Sequence, residues 1–178
     1  MKNIFVISDT WFNRPIGENS NMSVEEYNDM VINAWNKAVN KTDEVYVLGG
    51  FGISDLYGIV VRLNGKIHFM NNFYCNDEIT FMDSLMISIE NSLDKKLGNR
   101  IIFEEKQIIA LEDNDAILSY LPLSDWRGKE TGTICFHGLN DISILSENNI
   151  SCYAGIHKFK PINISIASDN LKRFGELI

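Results

Sequence analysis

The feature that most constrains this chain is a repeated one: short apolar runs that stop abruptly at polar residues or glycine. Residues 2–8 lead into Asp9 and Thr10, residues 44–48 into Gly49 and Gly50, and residues 66–70 into Asn71 and Asn72. Runs of this length, rich in Val, Ile and Phe, are the pattern of buried strands. Strands that deliver polar side chains at their carboxyl ends place them where layered α/β folds gather ligands and catalytic groups.

Between the first two runs the helix signals are strong. Ser23, with Glu26 three residues on, makes a capping box, in which each side chain satisfies a backbone N–H near the other. Tyr27, Met30, Val31, Ala34, Trp35 and Ala38 then recur at helical spacing. This helix is expected to end near Lys41 and to pack on the sheet. Residues 56–63 are also expected to be helical, so the order is strand, helix, strand, helix, strand. Residues 77–97 fit loop plus helix. From Arg100 the character changes, and 101–103, 107–111, 116–120, 132–136 and 161–166 read as strands between turn-rich segments.

The chain has 178 residues, 45% of them hydrophobic, with no repeat, low-complexity tract or Pro/Gly/Ser linker. Residues 1–178 are therefore expected to form a single domain of α/β class, with two packed mixed sheets flanked by helices around a shared core. A net charge of -8, a pI near 4.8 and no Lys/Arg-rich stretch argue against non-specific binding to nucleic acid or anionic membranes. The opening MKNIFVIS is too short an apolar run for a leader, and no window approaches the roughly 20 apolar residues that span a bilayer. Cys75, Cys135 and Cys152 are odd in number and form no CxxC pair. Reduced, inert thiols in the cytoplasm are expected.

Five segments share the strand-end character: Ser8-Asp9-Thr10-Trp11, Leu48-Gly49-Gly50-Phe51, Met70-Asn71-Asn72-Phe73, Leu118-Ser119-Tyr120-Leu121-Pro122 and Phe136-His137-Gly138-Leu139-Asn140-Asp141. In order and spacing they resemble the calcineurin-like metallophosphoesterases, in particular small bacterial and phage members with the motifs SDTHF, LGDF, GNHD, SHYP and HGHxH. Asn36, Asp43-Glu44-Val45-Tyr46 and Leu63-Asn64-Gly65-Lys66 extend the resemblance over most of the chain. It implies a four-layer α/β/β/α sandwich. It also implies a two-metal site with Asp, His and Asn ligands, a bridging Asp in LGDF and a His in GNHD that assists the reaction.

Against that pattern this sequence departs at nearly every ligand. Asp9 matches the first Asp, but Trp11 stands for the neighbouring His. Gly50 replaces the bridging Asp, Phe73 the His of the third motif and Tyr74 the Asp beside it, while Asn72 is kept. Tyr120 replaces the next His ligand. His137 and Gly138 match the last motif, where Leu139 and Asp141 stand for its later histidines. The whole chain holds three histidines, His68, His137 and His157, fewer than the family site needs. Two divalent ions roughly 3.5 to 4 Å apart repel strongly unless a shared anionic ligand neutralises them, and Gly50 has no side chain to do so. The bulky Trp11, Phe73, Tyr120 and Leu139 are expected to fill the space the metals would leave.

The resemblance thus implies the phosphoesterase fold without ordinary dimetal hydrolysis. The chain then acts as a binding or scaffold protein with an unidentified protein partner, in the cytoplasm of a bacterial cell or phage-infected host, and needs no cofactor. In that case Asp9 caps backbone amides, Asn72 holds a turn and His137 bonds within the core. The competing reading is a remodelled phosphoesterase with one Mn or Mg ion held by Asp9, Asn72, His137 and Asp141. A third is a structural or accessory protein of a phage or mobile element.

Overall fold

The computed structural model describes residues 2–14, 21–70, 85, 87, 95–111, 113, 115–122, 133–138 and 149–175. The first sheet contains β1 (Ile4–Ile7), β2 (Glu44–Val47), β3 (Lys66–Phe69), β4 (Ile101–Phe103) and β9 (Ile162–Asn163), in the order β4-β3-β2-β1-β9. Its first four strands are parallel, and β9 runs antiparallel to β1. The second sheet has the order β5-β6-β7-β8, from β5 (Ile108–Leu111), β6 (Ala116–Ser119), β7 (Ile134–His137) and β8 (Asn149–Ser151). Here β5 is antiparallel to β6 and the rest are parallel.

Strand alternation divides the core in two. Phe5, Ile7, Val45, Val47, Ile67 and Phe69 face the helices α1 (Val24–Ala38) and α2 (Leu56–Val60), meeting Val31, Ile32, Trp35, Leu56 and Ile59. Leu97 of the short α3 (Lys95–Gly98) joins the same cluster. On the opposite face Val6, Tyr46, Leu48 and Met70 pack against Ala116, Leu118, Ile134 and Phe136 of the second sheet. Two mixed sheets flanked by helices around shared core layers are thus as expected. The far face of the second sheet carries Ile117, Ser119, Cys135 and His137, all buried. A helical fourth layer on that face would fall outside the described residues.

The first helix forms as its sequence dictates. Ser23 Oγ accepts from Glu26 N at 3.1 Å while Glu26 Oε2 accepts from Ser23 N at 2.8 Å. The helix stops at Ala38, three residues before Lys41, because Val39 is already extended and its N–H closes on Trp35 O. Asn36 and Asn64 then lock the helix to the turn before β3: Asn64 N donates to Asn36 Oδ1 at 2.7 Å, and Trp35 Nε1 donates to Asn64 O at 3.0 Å.

Several expected bounds change. Residues 161–166 are strand only at Ile162–Asn163, and Ile164 begins the helix α4 (Ile164–Gly175). Alternating Ile and polar residues imitate a strand here, but Asn163 is an N-cap whose Oδ1 accepts from Ile166 N at 3.1 Å. Ile164, Ala167 and Leu171 then face the inter-sheet core at helical spacing. Strand β7 runs to His137 rather than stopping at Phe136, and β8 has no counterpart among the expected strands. Helix α2 ends at Val60, short of 63. Most of 77–97 lies outside the described residues.

Asp43 ties the start of the sheet together. It is 1% exposed, and its carboxylate accepts from Asn40 N at 2.8 Å, Asn3 N at 3.1 Å and Asn3 Nδ2 at 3.2 Å. Burial alone would push its pKa up, but these hydrogen bonds outweigh it and hold the group below the ordinary carboxylate value. A lowered folded-state pKa gives stability that is fully present above the unfolded value and is lost as pH falls through the folded one. Thermal melts from pH 7 downward are expected to show the loss beginning below about pH 4. Asp43→Ala should cost about 2 kcal/mol at neutral pH, since three donors lose their acceptor, and should flatten that acid limb.

Candidate functional site

The carboxyl ends of β1 and β2 run on into two loops that are zipped together by backbone hydrogen bonds. Leu48 N donates to Ile7 O at 3.0 Å, Asp9 N to Gly49 O at 2.8 Å, Trp11 N to Gly50 O at 2.7 Å and Phe12 N to Phe51 O at 2.8 Å. Ile53 N returns to Phe12 O at 3.1 Å, and Thr10 Oγ1 donates to Phe51 O at 2.9 Å. Phe12 and Phe51, both buried, pack edge to face at 5.1 Å and anchor the loops in the helix-side core.

The zipper requires unusual backbone. Asp9, Trp11 and Asn13 have φ of 58°, 50° and 60°, and Gly50 has φ of 58°. Left-handed conformations at residues with a Cβ cost about 1 kcal/mol or more each and persist where the surroundings over-determine them. The surroundings here are the ladder itself, reinforced by Asn28 Nδ2 donating to Asn13 Oδ1 at 2.6 Å and Tyr27 OH donating to Thr10 O at 2.7 Å.

Asp9 is 6% exposed and accepts from Ser8 Oγ at 3.0 Å. Gly50 lies against it so closely that a Cβ at position 50 would fall 2.0 Å from Asp9 Oδ1 and 2.7 Å from Asp9 Cα. The Asp9 carboxylate therefore occupies the space into which any side chain at 50 would grow. Across the inter-sheet gap, a Cβ at Gly138 would meet Ser8 Oγ at 2.6 Å and the Tyr120 ring at 2.5 Å. Ser8, Asp9, Gly50, Tyr120 and Gly138 thus form one packed group where the two sheets converge.

The remaining expected positions are placed as follows. His137 ends β7 and is 1% exposed, in register with Ser119 and Ser151, and its carbonyl accepts from Cys152 N at 2.6 Å. Trp11 is half-buried with the Arg14 guanidinium 5.0 Å from its ring centroid. Asn72, Phe73, Leu139 and Asp141 lie outside the described residues. Among the described residues no three His, Cys, Asp or Glu side chains converge as a metal-ligand group. Position 50 carries no side chain, and the Asp9 carboxylate takes the space beside it.

Cys135 and Cys152 are buried free thiols, and burial, followed by the proximity of Cys135, pushes the Cys152 thiol well above its ordinary pKa. Cys75 is outside the described residues. No helix among the described residues is long and apolar enough to cross a membrane.

A second polar cluster escaped sequence reasoning. His68 Nδ1 lies 2.7 Å from Glu104 Oε1, its Nε2 lies 3.5 Å from Glu44 Oε1, and the ring stacks on Tyr46 at 4.4 Å. Lys2 and Lys66 approach the same Glu44 oxygen at 2.5 and 3.7 Å. Desolvation, then the two carboxylates, pushes the Tyr46 hydroxyl up to about 12, so it stays neutral. With Glu44 engaged by two ammonium groups, the cluster is an ion network clamping adjacent strands rather than an open ligand set. The only sequence signal was a His and a Glu at mid-strand and strand-start positions, too common to single out.

Two glycines separate the local requirements experimentally. Gly50→Ala is expected to cost about 2 to 5 kcal/mol, combining a left-handed backbone with overlap onto Asp9. Gly58→Ala, inside α2 with only the Asp55 carboxylate 3.8 Å away, should instead stabilise by about 0.5 to 1 kcal/mol. Urea melts of the two variants check both signs.

No family model and no curated protein matches this chain. Among solved structures it is similar to the protein of unknown function AQ665 from Aquifex aeolicus, with a TM-score of 0.61 and 19% identity over 100% of both chains. At that identity the likeness shows the α/β fold alone.

Proposed function

We propose that this chain is a metallophosphoesterase-like scaffold that works by binding a protein partner, not by dimetal hydrolysis. The observation that carries the reading is the Asp9 carboxylate at the position where a side chain on residue 50 would begin. A bridging carboxylate cannot be accommodated there, and without one two adjacent divalent ions are not held together. The same strand ends are bonded inward: Ser8 Oγ to Asp9, Thr10 Oγ1 to Phe51 O, and the Tyr120 ring over Gly138.

Groups committed to one another in this way rigidify a junction and leave little to offer a substrate. A chain of net charge -8 favours a partner with a basic or apolar docking patch. Residence in the bacterial or phage-infected cytoplasm is part of the same proposal.

The test is elemental analysis of protein loaded with Mn and dialysed, with bis(p-nitrophenyl) phosphate turnover measured on the same sample. Metal well below one ion per chain and turnover at the buffer background, unchanged in Asp9→Ala, are expected. One bound ion per chain, with turnover abolished by Asp9→Ala and His137→Ala, would replace this reading with a single-ion phosphoesterase using Asp9, Asn72, His137 and Asp141.

A further inference from the structure

We infer that the cleft between the C-terminal turn of α1, the residues leading into β9 and the helix α4 is a binding site for a small organic anion with an apolar body. The cleft has a volume of about 580 Å³, within the range of roughly 300 to 1,000 Å³ typical of small-molecule sites. It opens near the amino end of β1, whereas Asp9 follows the carboxyl end. None of its lining residues belongs to the Asp9 group, so the inference is independent of the reading above. An active metal at Asp9 would leave the cleft unchanged.

Its chemistry is two-sided. Phe5 and Pro161, both buried, give it an apolar base, and Ala38 and Ala167 are small enough to leave room above. Among the described residues, the only charged side chains that line it are Lys37, from α1, and Lys160, from the segment before β9, and both are exposed. Neither lysine pairs with a carboxylate among the described residues. Among the described residues no Asp or Glu lines the cleft, although the chain carries 24 of them against 16 Lys and Arg. The remaining titratable group, His157, is held by a 2.7 Å contact between its Nε2 and Ser151 O.

Two ammonium groups from separate elements over an apolar base select for a ligand with a negative head and a hydrocarbon or aromatic body. A bare inorganic anion would leave the apolar base wet and most of the volume unused. A cation would face both lysines, and an uncharged apolar molecule would gain nothing from them.

The probe is anilinonaphthalene sulfonate, titrated at neutral pH while backbone amide chemical shifts are followed. Saturable one-site binding is expected, with the largest shifts at Phe5, Lys37, Ala38 and Ala167. Lys37→Glu combined with Lys160→Glu, both at exposed positions, should weaken binding at least roughly tenfold. Ala167→Trp, which fills the cleft and keeps both lysines, should remove the shifts. N-phenylnaphthylamine, which has the same rings without the sulfonate, should bind more weakly than the sulfonate. Shifts centred elsewhere, or an affinity unchanged by the double charge reversal, would overturn the inference.

Discussion

Ser8 is where two sheets become one structure. Its N–H donates to Cys152 O at 2.9 Å and its carbonyl accepts from Ala154 N at 2.8 Å, so the end of β1 pairs with the chain leaving β8. These bonds are fully buried, where a lost backbone partner is costly. They fix the separation of the sheets at one end, and everything around them is sized to that distance. Gly138 has no side chain because Ser8 Oγ and the Tyr120 ring already occupy the space. The apolar layer from Val6 to Phe136 begins immediately beneath.

From that junction the constraint passes into the β1 and β2 loops. Once Ser8 is held, Asp9 turns left-handed, its carboxylate folds back to Ser8 Oγ, and Gly50 must yield the space. The polar strand ends therefore serve one another. In many α/β folds the same positions face a ligand, whereas here the Asp9 carboxylate takes the space beside Gly50.

Much of the architecture was legible because it rests on local chemistry. The capping box at Ser23, the helical spacing through Trp35 and the apolar runs of β1, β2 and β3 each carry their own signal, and the sheet follows from packing them. The C-terminal helix was not legible as a helix, because Ile162, Ile164 and Ile166 alternate like a strand and only the Asn163 cap marks the change. The absence of a side chain at 50 could be read directly, but the reason for it could not. That reason is a contact between residues 9 and 50 set by two positive-φ backbones, which no pattern of residue types reveals. The cleft at Lys37 and Lys160 was likewise invisible, since it joins residues from α1 to α4 that share no motif.

The Ser8 junction also orders events in time. Nearly the whole chain lies between Ser8 and Cys152, whereas β1 to β4 pair with neighbours close in sequence. Contacts that close long stretches of chain form slowly, and a chain leaving the ribosome cannot make them until the far partner has emerged. Strands β1 to β4 and the helices α1 and α2 can assemble before that partner, and before β9 joins the edge of β1. Closure at Ser8, next to Asp9, therefore belongs to the contacts of longest sequence separation, the kind that topology makes slow.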